Sequence, residues 1–385
     1  MVPRFIPRDF LLVQDRLIRP PLQEWAKWIR SGLEEEITRE ESDFCRVASL
    51  LNLAALVETS RGNLANGRAI CEAEFSWLSR LAGQGYDRAK ISGLALQPWI
   101  NIGRLFRLEG RIDEALQHFA LVMKRPIDQP LFLGPYAITS EDWDQFAASE
   151  VLEKLWNIYV VDSLKSYFRV GQFAAALSFV ARLRESKVDS SANLVLEGEI
   201  ISHAGLGAYE RAYALAKSPG SQEVLDTLVF ILYQASCSVV LNQRERGNSL
   251  ARELTSFITL GGLDPFPPLT TLRFLKGLGA LLEELGQQVD AAFIYDKGYQ
   301  LALDSGDQPF QISFLRSKSR QLGGELSLGL AKTLEALIDD CYYDEVLSVD
   351  AIPGKLWNQA FDDLLATVSN ATGDALLIAN RNIPG

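Results

Sequence analysis

Between Trp99 and Pro126 the chain spaces small residues, large aromatics and one turn glycine as two packed antiparallel helices require. Gly103 and Ala115 are small enough for helices to approach closely, Gly110 supplies the turn, and Pro126 ends the second helix. Trp99, Phe106 and Phe119 are placed to fill the groove between the two. A hairpin of this kind cannot bury its apolar faces alone, so further copies must stack against it.

Copies are present. The best runs through Leu275, Leu278, Gly279, Leu282, Gly286, Ala291, Tyr295 and Gly298. Another runs from Leu164 through Tyr167, Gly171 and Ala176 to Val180 and Leu183, and a third from Ile200 through His203, Gly207 and Ala212 to Ala216 and Pro219. Two looser copies hold Leu51, Ala55, Gly62, Gly67 and Cys71, and Ile231, Ala235, Ser238, Asn242, Gly247 and Ala251. The pattern resembles the tetratricopeptide repeat (TPR), whose period is about 34 residues. That resemblance implies an all-α fold, a right-handed superhelix (α-solenoid) of TPR-like helical hairpins with irregular insertions and helical caps. It also implies a concave groove that holds extended peptides or partner helices.

Residues 1–43 read as an N-terminal arm and capping helix, 44–310 as the repeat array, and 311–385 as a C-terminal helical cap and tail. Pro3, Pro7, Pro20 and Pro21, mixed with Arg4, Arg8, Arg16 and Arg19, make the arm; Trp25 and Trp28 lie on the helix that follows. Insertions fall near 125–140 and 259–270, where Pro126, Pro130 and Gly134-Pro135, and then Gly261-Gly262, Pro265, Pro267 and Pro268, forbid continuous helix. Thr139-Ser140-Glu141-Asp142 reads as the N-terminal cap of a helix running through Trp156. The loop aromatics Phe132, Tyr136 and Phe266 are expected to tuck onto their own helices. Helices are expected over Gly323 to Val346 and Leu356 to Val368, and no strand-period segment stands out.

A net charge of −11 argues against a main task on nucleic acid or an anionic membrane, since both select cationic surfaces. The apolar run Phe10 to Val13 is too short for a secretory signal, and Leu228 to Leu241 is too short and too interrupted for a membrane span. Cys45, Cys71, Cys237 and Cys341 are far apart in apolar helical contexts, as reduced core cysteines are, which fits a cytoplasmic protein.

Chemistry has little to work with. His118 and His203 are the only histidines, both fall inside repeat helices, and neither has the Cys or His neighbours of a zinc site. Gly277-Leu-Gly279 lacks the third glycine and the preceding strand of a dinucleotide fingerprint. Glu34-Glu35-Glu36 and Asp339-Asp340 with Asp344-Glu345 read as solvated helix faces rather than cation ligands. No catalytic residue, metal or cofactor is expected.

The first helix of each repeat lines the groove in the TPR family. By that resemblance Gln97, Arg104 and Arg107, then Lys165 and Arg169, form a basic stripe suited to carboxylates or an acidic peptide. The family's carboxylate-clamp pattern of lysine and paired asparagines is not reproduced. The expected function is a non-catalytic protein- or peptide-binding adaptor or regulatory scaffold. Its rivals are a sensor of a small molecule or signalling peptide, and an enzyme or accessory subunit of a biosynthetic enzyme.

Overall fold

The computed structural model describes residues 3, 5–7, 10–12, 22–39, 43–60, 62–83, 88–133, 136–147, 151–185, 192–217, 223–263, 266–321 and 332–333. The fold is all-helical apart from one short ribbon. The expected helices beyond Gly323, together with Cys341 and the acidic cluster at Asp339 to Glu345, lie outside the described residues. The chain divides into two compact units.

One unit comprises the described residues within 20–159. It contains α1 (Leu22–Thr38), α2 (Phe44–Ser60), α3 (Leu64–Gly83), α4 (Arg88–Leu108), α5 (Ile112–Val122), strands β1 (Leu131–Leu133) and β2 (Tyr136–Ile138), and α6 (Ser140–Ala147). Successive helices from α1 to α5 pack on one another, and α2 also packs on α4. Their shared core includes Trp25, Ile29, Leu51, Phe75, Trp99 and Phe119. Trp25 is buried whereas Trp28 on the same helix is 55% exposed.

The first insertion is not the plain loop expected. Leu131 pairs with Ile138, Phe132 with Ala137 and Leu133 with Tyr136 in an antiparallel ribbon. Leu133, Tyr136 and Ile138 turn into the core, while Phe132 faces out. Thr139 and Asp142 then cap α6 reciprocally: the Asp142 N–H donates to Thr139 Oγ1 at 3.2 Å, and Thr139 N–H donates to Asp142 Oδ2 at 2.8 Å. The helix expected to run on to Trp156 is described as α6 and α7 (Val151–Arg169), with residues 148–150 outside the described residues. Glu36 departs from the expected solvated face. It is buried, and Arg39 and Arg46 reach it at 2.8 and 2.9 Å.

The other unit comprises the described residues within 1–19 and 160–339, and takes in α7 from Val160 onward. It contains α8 (Phe173–Glu185), α9 (Ala192–Gly205), α10 (Tyr209–Ala216), α11 (Val224–Val240), α12 (Arg244–Thr259), α13 (Pro268–Leu285), α14 (Gln288–Ser305) and α15 (Gln308–Gln321). Each helix from α8 to α15 packs on the next, and α11 also packs on the alternate helices α9 and α13.

One turn recurs through both units. At Gly110 the backbone takes φ +78°, Gly110 N–H donates to Arg107 O at 3.1 Å, and Arg111 N–H donates to Phe106 O at 2.9 Å. These two bonds satisfy carbonyls that a helix end leaves open, and glycine adopts the left-handed conformation without a steric penalty. Asn242 makes the same turn at φ 60°, with Gln243 N–H donating to Ser238 O at 2.8 Å. A short polar side chain tolerates that conformation best after glycine.

Candidate peptide-binding face

The N-terminal segment of the chain carries prolines at 3 and 7, and its described residues, 3, 5–7 and 10–12, are not helical. It is nonetheless among the most deeply buried parts of its unit: Phe5, Ile6, Phe10 and Leu11 are 7%, 1%, 0% and 3% exposed. It lies against α7, α9, α11 and α13.

Each of those helices contributes a specific contact. From α7, the ring of Phe168 stacks on Phe10 with centroids 5.9 Å apart. From α9, Gly198 lies beside the Phe10 ring, at an ordinary contact distance of 3.5 Å from its Cβ position to Phe10 Cζ, and its lack of a side chain admits Leu164, whose Cδ1 a Cβ would meet at 2.5 Å. From α11, Ser236 Oγ donates to the backbone carbonyl of Phe5 at 3.2 Å. From α13, Arg273 Nη1 donates to the backbone carbonyl of Phe10 at 3.2 Å.

Glu197 of α9 completes the arrangement. Its fully buried carboxylate accepts the Leu11 N–H on Oε1 at 2.6 Å and the Leu12 N–H on Oε2 at 3.2 Å, while Tyr233 OH donates to Oε1 at 3.0 Å. A buried carboxylate costs several kcal/mol unless donors surround it, so these bonds offset a penalty of roughly that size. Glu197 and Arg273 together grip the main chain from both sides, one accepting consecutive N–H groups and the other donating to the preceding carbonyl. The apolar side chains fill the space between the helices. The stretch that Glu197 and Arg273 hold is irregular, with a turn closed by Ile6 N–H donating to Pro3 O at 3.2 Å and a bend at Leu11 and Leu12 that aims both N–H groups at one carboxylate.

The residues of the predicted basic stripe fall in both units. Gln97, Arg104 and Arg107 lie on α4, where Gln97 is exposed, both arginines are half-buried, and Arg104 Nη1 donates to Asn101 Oδ1 at 3.4 Å. Lys165, half-buried, and Arg169, exposed, lie on α7 within the other unit, on the same helix as Phe168. Glu197, Tyr233, Ser236 and Arg273 were not anticipated. The available signal was a charge flanked by apolar residues, Arg273 between Leu272 and Phe274; Glu197 shares its stretch with Glu199 and did not stand out.

The histidines occupy packed positions. His203 Nε2 is 3.8 Å from Glu199 Oε1, and burial lowers its pKa against the opposing pull of that carboxylate. Cys71 and Cys237 are buried, and desolvation raises both thiols, Cys237 to about 12, far from the range of a reactive thiolate. Among the described residues no group of three or more His, Cys, Asp or Glu side chains is placed to hold a metal, and no helix is long and apolar enough to cross a membrane. No protein-family model and no curated protein sequence matches the chain.

Proposed function

We propose that this chain is a non-catalytic scaffold that binds an extended peptide of a partner protein. In this reading its hairpins wind into a TPR-like right-handed superhelix, and α7, α9, α11 and α13 line a groove. The observation that carries it is the grip of Glu197 and Arg273 on the backbone of Phe10 to Leu12. Recognition of an extended peptide rests on main-chain hydrogen bonds for affinity and on pockets for particular side chains. The recurring turn and the packing of alternate helices support the superhelix. Gln97, Arg104 and Arg107 in one unit, and Lys165 and Arg169 in the other, each offer a further contact for an acidic stretch of the partner, and a cytoplasmic setting keeps the cysteines reduced.

The test is retention of partner protein from native cell extract by the tagged full chain, at low and moderate salt, with Arg273→Met and Arg104→Glu/Arg107→Glu variants alongside. A stoichiometric protein held by the wild type and lost from folded Arg273→Met is expected, with weaker retention by the double variant. Equal retention by all three forms overturns the groove assignment.

A further inference from the structure

We propose that the N-terminal segment is a tethered ligand that occupies this groove in competition with the partner, and that its own sequence states the pattern a partner must carry. That pattern is an apolar pair followed by proline, a two-residue spacer and three apolar residues, as in Phe5-Ile6-Pro7-Arg8-Asp9-Phe10-Leu11-Leu12. The inference rests on the reading of this face as a peptide groove.

Three observations lead to it. The described residues of the segment are not helical, yet they reach all four groove helices. Its polar anchors engage backbone atoms at Phe5, Phe10, Leu11 and Leu12, groups that any peptide able to take the same bend offers except where proline removes an N–H. The buried Glu197 carboxylate demands donors, and two of its three donors named above come from the segment. A groove vacated by the segment therefore selects a replacement with two successive backbone N–H groups and apolar side chains beside them.

Tethering sets the strength of the competition. The segment is joined to its own groove through residues 20–159 of the same chain, so its competition is intramolecular and independent of protein concentration. A free peptide then binds the whole chain more weakly than it binds the open form, in proportion to the fraction of chains in which the groove is vacated. A partner prevails by adding a second contact or by binding the segment itself.

The experiment uses the full chain and a fluorescein-labelled synthetic peptide of residues 3–12, read by fluorescence anisotropy. The Phe10→Asp/Leu11→Asp variant puts two charges where the segment is buried, to expel it, and substitutes no residue of the groove helices. At least tenfold tighter peptide binding by this variant than by wild type is expected, with the gain lost on adding Glu197→Ala. Equal, measurable binding by wild type and variant leaves the groove reading standing and overturns the tethered competitor. No binding by a folded variant overturns both.

A second measurement on the unaltered chain decides the matter if the variant does not fold. Native-state hydrogen exchange of the Leu11 and Leu12 amides is expected to proceed by local opening, faster than the slowest amides of α11 and α13. Exchange only through global unfolding makes the segment a permanent part of the core and overturns the proposal. So does a concentration-dependent dimer in sedimentation whose copies exchange segments.

Discussion

The imidazole of His118 lies flat on the indole of Trp99, with ring centroids 3.8 Å apart and planes 11° from parallel. Phe106 closes the imidazole edge-on at 5.0 Å, and Trp99 Nε1–H donates to the backbone carbonyl of His118 at 3.2 Å. Burial, and then the nearby Arg68 charge, lower the His118 pKa to about 4. The ring is neutral at physiological pH and acts as one more aromatic of the helix pair.

A pH dependence follows from that shift. Between the ordinary imidazole value of 6.5 and about 4 the unfolded chain takes up a proton that the folded chain refuses. The stabilisation is therefore present above 6.5 and is lost as pH falls through that window. Replacement His118→Phe should flatten this part of the profile, by about 1–2 kcal/mol once partial exposure is allowed for. Urea midpoints of both proteins at about pH 7 and about pH 4.5 check it; an unchanged difference between them refutes it.

Glu74 should act with the opposite sign. Its carboxyl is buried, Oε2 has no hydrogen-bond partner, and desolvation raises its pKa well above 4.5. The folded chain keeps this proton at pH values where the unfolded chain releases it, so stability is full below 4.5 and declines as pH rises through the raised value. Glu74→Gln cannot ionise and should remove that decline. Thermal melts between about pH 5 and pH 9 would show the wild type losing stability relative to the variant.

Two glycines of α4 should respond oppositely to the same substitution. A Cβ at Gly103 would sit 2.7 Å from Phe119 Cε1, whereas at Gly93 nothing lies within 4 Å. Gly103→Ala should cost about 1–3 kcal/mol through overpacking, and Gly93→Ala should gain about 0.5–1 kcal/mol from helix propensity. Denaturant titration of the two variants measures both.

The Asp142 carboxylate joins α4, the ribbon and α6. Its Oδ1 accepts from Ser92 Oγ at 3.0 Å, Ser92 Oγ is 2.7 Å from Tyr136 OH, and Oδ2 accepts from Thr139 Oγ1 at 2.8 Å. Asp142→Ala strands buried partners and should cost about 2–3 kcal/mol. Asp144→Ala, which breaks only the exposed pair with Arg125, should stay within about 0.5 kcal/mol. A comparable loss in both, read from chemical denaturation, would refute the network.

The sequence by itself determined the helices and turns, because the signals for those are local. Gly110, Gly171, Gly207 and Gly286 mark turns in the chain as written, and each has a positive φ in the structure. Gly103 and Ala115 announce close approach, and Phe119 packs where they allow it. The ribbon at Leu131 to Ile138 was not legible, since three residues per strand are too few to display a period of two. Still less legible was the pairing of Leu11 with Glu197, separated by 186 residues. No spacing rule connects an irregular, proline-broken segment to a carboxylate inside a distant helix. Only tertiary structure decided that pairing, because stacked helices created a buried acceptor that one particular stretch of backbone was able to satisfy.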